Sequence, residues 1–377
     1  MKARSAHLVV ENLAGISAAY SEGLAARVLC EVWHRCEDAA EDGCIVETKS
    51  WGVTLRTTKD WSDVRWHQQM ERMAVDVGLK PLKIDSRGIV VGLSFETDEL
   101  ACGTRPINVD PMKYRMDMAA ASLAYSALAV GGVNFVEQSV VHPQAAGCEL
   151  YRERLLRLID ADGCILMPGT YLPALERLGV SRAFNWSVVR DTIDMLHRHD
   201  DLVLGCNISG LSVSHDPWWH AVIDDLAQNP DVARRLVIEI TETALPHDLV
   251  GAFNLVSSLQ RTGCRVAVDD FGAGSSTLAF VRTIGADILK VDGSYVRRQP
   301  DNHDTAGLLR HLIQLAKHFA GQIVVEGVES ETDLVLAREA GADWYQGFYL
   351  NGLADMPSPI GLTPARLPMQ ALEGLRQ

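Results

Sequence analysis

The sequence predicts an α/β protein in which residues 132–377 form a TIM-like (β/α)8 barrel with one antiparallel strand, and residues 1–131 form a smaller α+β domain. Three observations predict this fold. Eight β-rich runs follow one another after residue 132, helical stretches fill the gaps from the second run onward, and a short segment joins the first two runs. An open doubly wound sheet is the alternative architecture for the same pattern.

The β-rich runs alternate with stretches of helical periodicity. In residues 304–320, for example, apolar side chains recur at helical spacing between Leu308 and Ala316. Strands separated by helices form parallel βαβ units, so we expect a mostly parallel sheet. The eight runs are residues 133–141, 149–156, 202–209, 236–241, 265–270, 288–292, 323–329 and 344–350.

The connection between the first two runs differs from the others. Only residues 142–148 lie between them, which is too short for a parallel crossover, so these strands should pair antiparallel. The flexible pair Gly131-Gly132 closes an alanine-rich helical stretch just before the first run. We therefore expect the boundary between the two domains at this pair.

Composition excludes several classes of function. The net charge of −14 argues against binding to DNA, which needs a basic surface. Residues 118–136 carry no charge but are rich in Ala, Ser and Gly, so they predict a buried helix and a strand, not a membrane span. The eight cysteines form no C-x-x-C pair, and the first residues contain no long apolar stretch. These features favour a cytoplasmic protein.

From the second run onward, every predicted strand carries a polar residue at or near its C-terminal end. In a barrel these ends meet at one rim, where active sites are assembled. Strand ends also meet solvent in many proteins, but Glu239 and Glu326 lie inside apolar runs, where a charge needs a partner or a metal. The polar residues are Glu153, Asn207, Glu239, Asp269, Asp270, Lys290, Asp292, Glu326 and Gln346.

The composition of this rim predicts its chemistry. Carboxylates and an amide oxygen, without Cys or His, are ligands typical of Mg²⁺ or Mn²⁺. A pair of such ions can activate water and stabilise the leaving oxygen of a displacement at phosphorus. Lys290 could neutralise a phosphate oxygen or orient the nucleophile, or simply pair with Asp292 or Asp270. The glycine-rich loop 270–276 allows backbone to approach a metal or phosphate closely.

The second strand orders its charged residues by alternation. Glu153, Leu155 and Arg157 should share one face, with Arg154 on the other. Arg157 is then placed to bind a phosphate beside a metal held by Glu153, since arginine suits phosphate oxygens. A surface ion pair is the alternative interpretation. Arg154 should face the helices, where it affects packing and not chemistry.

These residues carry a family resemblance. The resemblance lies in a series of short motifs: Gln138, ERLLR at 153–157, Asn207, EITET at 239–243, DDFG at 269–272, LKVD at 289–292, EGVE at 326–329 and QGF at 346–348. Their order and spacing resemble those of the EAL family of cyclic di-GMP phosphodiesterases. The resemblance implies metal binding by Glu153, Asn207, Glu239, Asp269, Asp270 and Glu326. It implies that Lys290 and Glu326 act in catalysis, with Glu242 holding the glycine-rich loop. It also implies contacts with the dinucleotide from Gln138, Leu155, Arg157, Asp292, Glu329 and Gln346.

The resemblance implies metal-dependent hydrolysis of cyclic di-GMP to linear pGpG by a homodimer using Mg²⁺ or Mn²⁺, most simply two ions. The signature Glu-Ala-Leu reads Glu153-Arg154-Leu155 here, and Leu158 and Ser139 replace a usual tryptophan and proline. The alternative is therefore a catalytically silent receptor for cyclic di-GMP or a protein-interaction regulator. The complete set of acids favours the enzyme.

The N-terminal third resembles a GGDEF diguanylate cyclase domain in the order of its elements. A strand, a turn and an amphipathic helix are expected over residues 7–36, followed by a hairpin at 44–58. The segment 48–52 reads TKSWG at the motif position and carries no acid for metal or GTP. We expect a degenerate, non-catalytic domain with a regulatory or dimerising role.

Overall fold

The computed structural model describes residues 4–96, 108–142, 148–214, 217–241, 246, 248–273, 278–297 and 305–350. An N-terminal unit precedes the barrel and has an antiparallel sheet of strand order β2-β3-β1-β6, with a separate β4-β5 hairpin. Its strands are β1 (Ser5–Val10), β2 (Cys44–Lys49), β3 (Gly52–Thr57), β4 (Leu82–Ile84), β5 (Arg87–Ile89) and β6 (Leu93–Glu96). Its helices are α1 (Leu13–Ala19), α2 (Glu22–Ala39), α3 (Asp63–Gly78) and α4 (Pro111–Ala129).

The predicted elements of this unit are present. The hairpin expected over 44–58 is β2 and β3, which pair from Cys44 with Thr57 to Lys49 with Gly52. The uncharged stretch 118–136 is divided between the end of α4 and the start of the next strand, as expected. Among the residues that the structure covers, none of the helices is both long and apolar enough to cross a membrane.

Eight strands close into a barrel, so the open sheet is the wrong alternative. The order is β10-β11-β12-β13-β14-β15-β7-β8, and pairing of β8 with β10 completes the circle. Only β7 runs against both neighbours, which confirms one antiparallel strand. The strands are β7 (Val133–Val141), β8 (Glu149–Ile159), β10 (Leu204–Ser209), β11 (Leu236–Thr241), β12 (Arg265–Phe271), β13 (Ile288–Val291), β14 (Gln322–Val325) and β15 (Trp344–Tyr345), with a short β9 (Ile165–Leu166) beside β8.

Two predicted strands were too long at their C-terminal ends. The run 323–329 forms a strand only to Val325, and the run 344–350 only to Tyr345. The chain turns after Val325 because Gly327 adopts a left-handed φ of 67°. Glu326 and Gln346 therefore lie just beyond their strands, at the rim.

Helices surround the barrel and bury their apolar faces against it. In α11, Leu309 and Ile313 are buried, as the helical spacing predicts, whereas Leu308 and Leu315 of the same apolar set are exposed. The helices are α5 (Pro168–Leu178), α6 (Ser181–Arg198), α7 (Pro217–Gln228), α8 (Pro230–Ala233), α9 (Leu249–Thr262), α10 (Leu278–Ile284), α11 (Thr305–Ala316) and α12 (Glu331–Ala340).

The interior of the barrel is filled by a small apolar layer, which we call the floor cluster. Side chains alternate along each strand, so inward residues pack here and outward residues pack against the helices. Its buried members are Val140, Tyr151, Val237, Ala267, Ile288 and Val324. The side chains two residues further along the inward faces of these strands therefore rest on the floor cluster.

The N-terminal unit and the barrel share one continuous hydrophobic core. Gly78 at the end of α3 lies against Trp218 of α7 and Ala183 of α6. On α4, the Asp117 carboxylate accepts two hydrogen bonds from Arg177 of α5, at 2.7 and 2.8 Å. The expected boundary at Gly131-Gly132 thus separates units that are packed together, and it stays a prediction.

Candidate metal centre

The rim residues stand directly above the floor cluster. Glu239, Asp269, Lys290 and Glu326 each come two positions after a floor residue on the same strand path, and Glu153 comes two after Tyr151. Gln138 comes two before Val140 because β7 runs in the opposite direction. Period-two alternation therefore aims all of these side chains at one point, as the sequence predicted.

Lys290 lies at the centre of four carboxylates. Its Nζ is 2.9 Å from Glu153 Oε2, 2.6 Å from Glu239 Oε2, 3.1 Å from Asp269 Oδ1 and 2.7 Å from Glu326 Oε1. The Lys290 side chain is 0% exposed. A charge so completely removed from water requires charged partners, and these four acids provide them.

Two amide side chains hydrogen-bond to Glu153, and a third holds one of these two in place. Gln346 Nε2 donates to Glu153 Oε2 at 2.5 Å and to Gln138 Oε1 at 3.1 Å, and Asn207 Nδ2 donates to Glu153 Oε1 at 2.5 Å. Burial alone would raise the pKa of Glu153, but Lys290 and the Gln346 and Asn207 amides hold it below its ordinary value. Glu153 is thus a fixed anion with both oxygens oriented.

The other acids carry more negative charge than Lys290 can offset. Burial and the charge of Glu153 hold the pKa of Glu239 well above its ordinary value. Burial and the charge of Asp269 likewise hold the pKa of Glu326 well above its ordinary value. Asn207 Oδ1 and Glu239 Oε1 are buried and accept no hydrogen bond from the described residues. An additional cation would satisfy both the excess charge and these oxygens.

The ligand atoms are spaced to hold such cations. Carboxylate oxygens of Glu153, Glu239 and Asp269 lie within 4.8 Å of one another, and so do those of Asp269, Asp270 and Glu326. The two triplets share Asp269, which could therefore bridge two neighbouring ions. The donor set is entirely oxygen, which suits Mg²⁺ or Mn²⁺.

Adjacent residues on a strand normally point to opposite faces, yet Asp269 and Asp270 both reach the site. The register between β12 and β13 shifts between Val268 and Phe271, and Asp270 has a left-handed φ of 56°. Aspartate tolerates this conformation better than most residues. This local irregularity turns the second aspartate back toward the centre. The loop 274–277 and Glu242 lie outside the described residues.

A cleft of about 300 Å³ opens above the metal centre. Its lining includes five of the six residues predicted to touch a substrate, namely Gln138, Leu155, Asp292, Glu329 and Gln346. The sixth, Arg157, lies outside this lining set and donates from Nη1 to the backbone oxygen of Leu156. The Asp292 carboxylate also accepts a hydrogen bond from the backbone N–H of Ser294, which fixes the turn after β13.

Two residues of the cleft were missed by the sequence analysis. Arg297 lines it, with Nη1 4.0 Å from Glu329 Oε1, and is a cation among many acids. Phe348, 62% exposed at the rim, presents an aromatic face. Phe348 belongs to the quoted QGF run, so its position could have been noticed. No local pattern distinguishes Arg297 from other surface arginines.

Arg154 faces the helices, which confirms the predicted frame of β8. Its side chain is 3% exposed and donates to Thr192 Oγ1 and to Asp191 Oδ1, both at 2.8 Å. The guanidinium carbon lies 3.6 Å from the ring centroid of Phe135 on β7. The arginine is thus accommodated by specific partners on α6 and β7.

A pair of substitutions tests this frame. If Arg157 binds a phosphate of cyclic di-GMP, as the resemblance implies, Arg157→Ala should weaken binding of that dinucleotide about tenfold or more. Arg154→Ala should leave binding unchanged but lower the free energy of unfolding by about 1–3 kcal/mol, since it removes the bonds to α6. Calorimetric titration in Ca²⁺ and urea unfolding of both variants measure the two effects. Weakened binding in Arg154→Ala with intact binding in Arg157→Ala would show that the assignment of faces is wrong.

Comparison with known proteins agrees with the motifs. A sequence model described as the EAL domain matches residues 125–352. The chain is 27% identical to the cyclic di-GMP phosphodiesterase PdeF of Escherichia coli over 216 residues, and 26% identical to the bifunctional diguanylate cyclase/cyclic di-GMP phosphodiesterase MucR of Pseudomonas aeruginosa over 203 residues. These matches cover 56% and 52% of this chain but only 28% and 30% of those proteins.

Solved structures show the same fold. The Pseudomonas aeruginosa FimX EAL domain bound to c-di-GMP is 26% identical, with a TM-score of 0.53, and the match covers 62% of this chain and 95% of that one. A Vibrio cholerae LapD S helix-GGDEF-EAL structure, 16% identical, has a TM-score of 0.55 and covers 92% of this chain and 88% of that one. The second likeness concerns the fold, and it extends over both units.

Proposed function

Because this chain belongs to the EAL domain family, we propose that it hydrolyses cyclic di-GMP to linear pGpG with divalent ions, Mg²⁺ or Mn²⁺ and most simply two, in the candidate metal centre. The observation that carries the proposal is the pair of carboxylate triplets joined at Asp269. Glu153, Asn207, Glu239, Asp269, Asp270 and Glu326 would hold the ions. When bound, such ions supply an activated water and stabilise the leaving oxygen at phosphorus.

The chain's own residues would bind and orient the reactants. Gln138, Leu155, Asp292, Glu329 and Gln346 line the cleft and can contact the dinucleotide there. Attack of water oxygen on phosphorus breaks the bond to the 3′ oxygen, which takes up a proton, so pGpG keeps a 5′ phosphate. Lys290 would donate hydrogen bonds to the attacking oxygen, since its ammonium lies among the ligands. Glu326 would act with it, and Glu242 would hold the glycine-rich loop.

The decisive experiment is incubation of the purified chain with cyclic di-GMP and Mn²⁺, with chromatography of the products. We expect pGpG to form, and excess chelator to stop its formation. Binding of cyclic di-GMP without pGpG would favour the alternative, a silent receptor. The FimX EAL domain structure bound to c-di-GMP supports binding of the dinucleotide under either alternative. Neither binding nor hydrolysis would point to a protein-interaction regulator.

The N-terminal unit is proposed to be a degenerate GGDEF-like, non-catalytic domain. Its sheet order and the LapD likeness support this assignment. At the hairpin turn, where the motif would carry acids, Trp51 is buried against Val9 and lies 5.4 Å from the His7 ring. The Glu239→Gln chain, comprising both units, should not degrade the product and is expected to make no cyclic di-GMP from GTP and Mg²⁺. Labelled cyclic di-GMP from GTP would overturn this proposal.

A cytoplasmic homodimer completes the proposal. Leu249, Val250 and Phe253 on α9 and Leu278 on α10 are exposed apolar residues of the barrel. Such residues are typical of interaction surfaces when they occur together. Sedimentation of the purified chain would test the dimer, and a monomer at micromolar concentration would contradict it.

A further inference from the structure

Tyr151 is the one polar member of the floor cluster, directly below the metal centre. It is fully buried, and its hydroxyl has no hydrogen-bond partner among the described residues. The other members of the cluster are Val, Ala and Ile. A buried hydroxyl without a partner is destabilising, so its presence in an otherwise apolar layer calls for a role.

Gly205 shows what lies beside the Tyr151 ring. A Cβ at Gly205 would come 2.6 Å from Tyr151 Cε2 and 2.4 Å from Glu239 Oε1. The tyrosine ring edge and the glutamate carboxylate therefore occupy the space that a side chain at this position would fill. Glycine at 205 is what allows both groups to lie side by side under the metal centre.

Tyr151 and Glu239 offer a hydrogen-bond donor and an acceptor, respectively, that have no partner among the described residues. Glu239 Oε2 lies 2.6 Å from Lys290 Nζ, but Glu239 Oε1 accepts no hydrogen bond from the described residues. Tyr151 offers one O–H donor, which keeps its proton at neutral pH because tyrosine ordinarily titrates near pH 10. Because the Tyr151 ring edge and Glu239 Oε1 both border the space at Gly205, the tyrosine is a neighbouring group that can supply this donor.

We propose that Tyr151 is a positioning residue, whose hydroxyl donates to the Glu239 carboxylate and orients it toward a bound divalent ion. The inference rests on the proposed function in treating Glu239 as a metal ligand. Groups that hydrogen-bond to a ligating carboxylate fix its direction, and their loss typically weakens metal affinity about 10–100-fold. Tyr151 reaches Glu239 from below, on the side opposite the cleft, so it takes no space from the substrate.

Tyr151→Phe removes the hydroxyl and keeps the ring. Calorimetric titration of the metal-free protein with Mn²⁺ should show affinity weakened about 10-fold or more. The thermal midpoint of the metal-free variant should not fall, because the lost hydroxyl had no partner. In the turnover assay, kcat at fixed Mn²⁺ should decrease while KM for cyclic di-GMP is unchanged.

Tyr171→Phe is the matched control. Tyr171 is 2% exposed and its hydroxyl also lacks a described partner, but it packs against Phe184 outside the barrel. Its removal should leave Mn²⁺ affinity unchanged. Equal Mn²⁺ affinity of Tyr151→Phe and the unsubstituted protein would overturn the inference alone, as would an equal loss in both variants. Absence of Mn²⁺ binding by the unsubstituted protein would instead refute the metal centre.

Discussion

Glu239→Gln is expected to lower the turnover of cyclic di-GMP by roughly 10³-fold or more while leaving the fold intact. Glu239 is 0% exposed and belongs to the triplet with Glu153 and Asp269. Glutamine has nearly the same shape but removes one negative ligand from the centre. Initial rates at saturating Mn²⁺ measure the effect, and far-ultraviolet circular dichroism checks the fold.

The same variant should not be less stable without metal. Burial holds the pKa of Glu239 well above its ordinary value, so ionisation of this carboxyl costs more in the folded protein than in the unfolded chain. A group of this kind stabilises the fold increasingly as the pH falls, and neutral glutamine imitates the protonated form. Glu137→Gln, on the outer face of β7, is the control and should keep full activity. Undiminished turnover in Glu239→Gln would remove Glu239 from the metal centre.

Lys290→Met is expected to destabilise the metal-free protein by about 3–5 kcal/mol, because it leaves four buried carboxylates without their ammonium. Methionine fills a similar volume without charge. Divalent ions can replace the missing positive charge, so Mn²⁺ should restore most of the lost stability. Urea unfolding in chelator and in Mn²⁺ measures both effects. Turnover should remain low even in Mn²⁺, since this variant lacks the hydrogen-bond donor that we propose for the attacking oxygen.

Lys317→Met provides the comparison at the surface. Lys317 is 44% exposed, and its Nζ lies 3.0 Å from Asp343 Oδ1. An exposed pair of this kind contributes about 0–1 kcal/mol, so its loss should change the free energy of unfolding little. If Lys290→Met were as stable as Lys317→Met in chelator, Lys290 would not be the counter-ion of the carboxylates.

The sequence predicted the rim because alternation and parallel topology are local properties. Once Glu239 and Glu326 are placed at or near the C-terminal ends of parallel strands of one barrel, their convergence follows from geometry. The direction of the Asp270 side chain could not be predicted in this way. It depends on a left-handed backbone conformation and a register shift that have no signal in the sequence pattern. Tyr151 also escaped notice. In sequence it is one more residue of a strand, and its importance comes from the space left by Gly205.

Packing between segments that are distant in the chain also could not be predicted from the sequence. Amphipathic patterns identify the apolar face of α3 or α6, but they do not say which other helix covers it. The contact of Gly78 with Trp218 joins residues far apart in the chain. Arg154 is an intermediate case. The alternation of side chains along β8 predicts that the Arg154 side chain points toward the helices, whereas its partners Thr192 and Asp191 are identified only in the folded structure.

The common core of the N-terminal unit and the barrel has a consequence for the proposed regulatory role of that unit. Modules joined by a flexible tether communicate by swinging together and apart, but here separation would expose the apolar surface around Trp218 and break the Asp117–Arg177 pair. If the N-terminal unit is regulatory, as proposed, its contacts with α6 and α7 are a direct route by which a change in that unit would affect the barrel. Asp191 and Thr192 of α6 accept hydrogen bonds from Arg154, which is the residue after Glu153. Movement of α6 would therefore act on the strand that carries one of the four carboxylates.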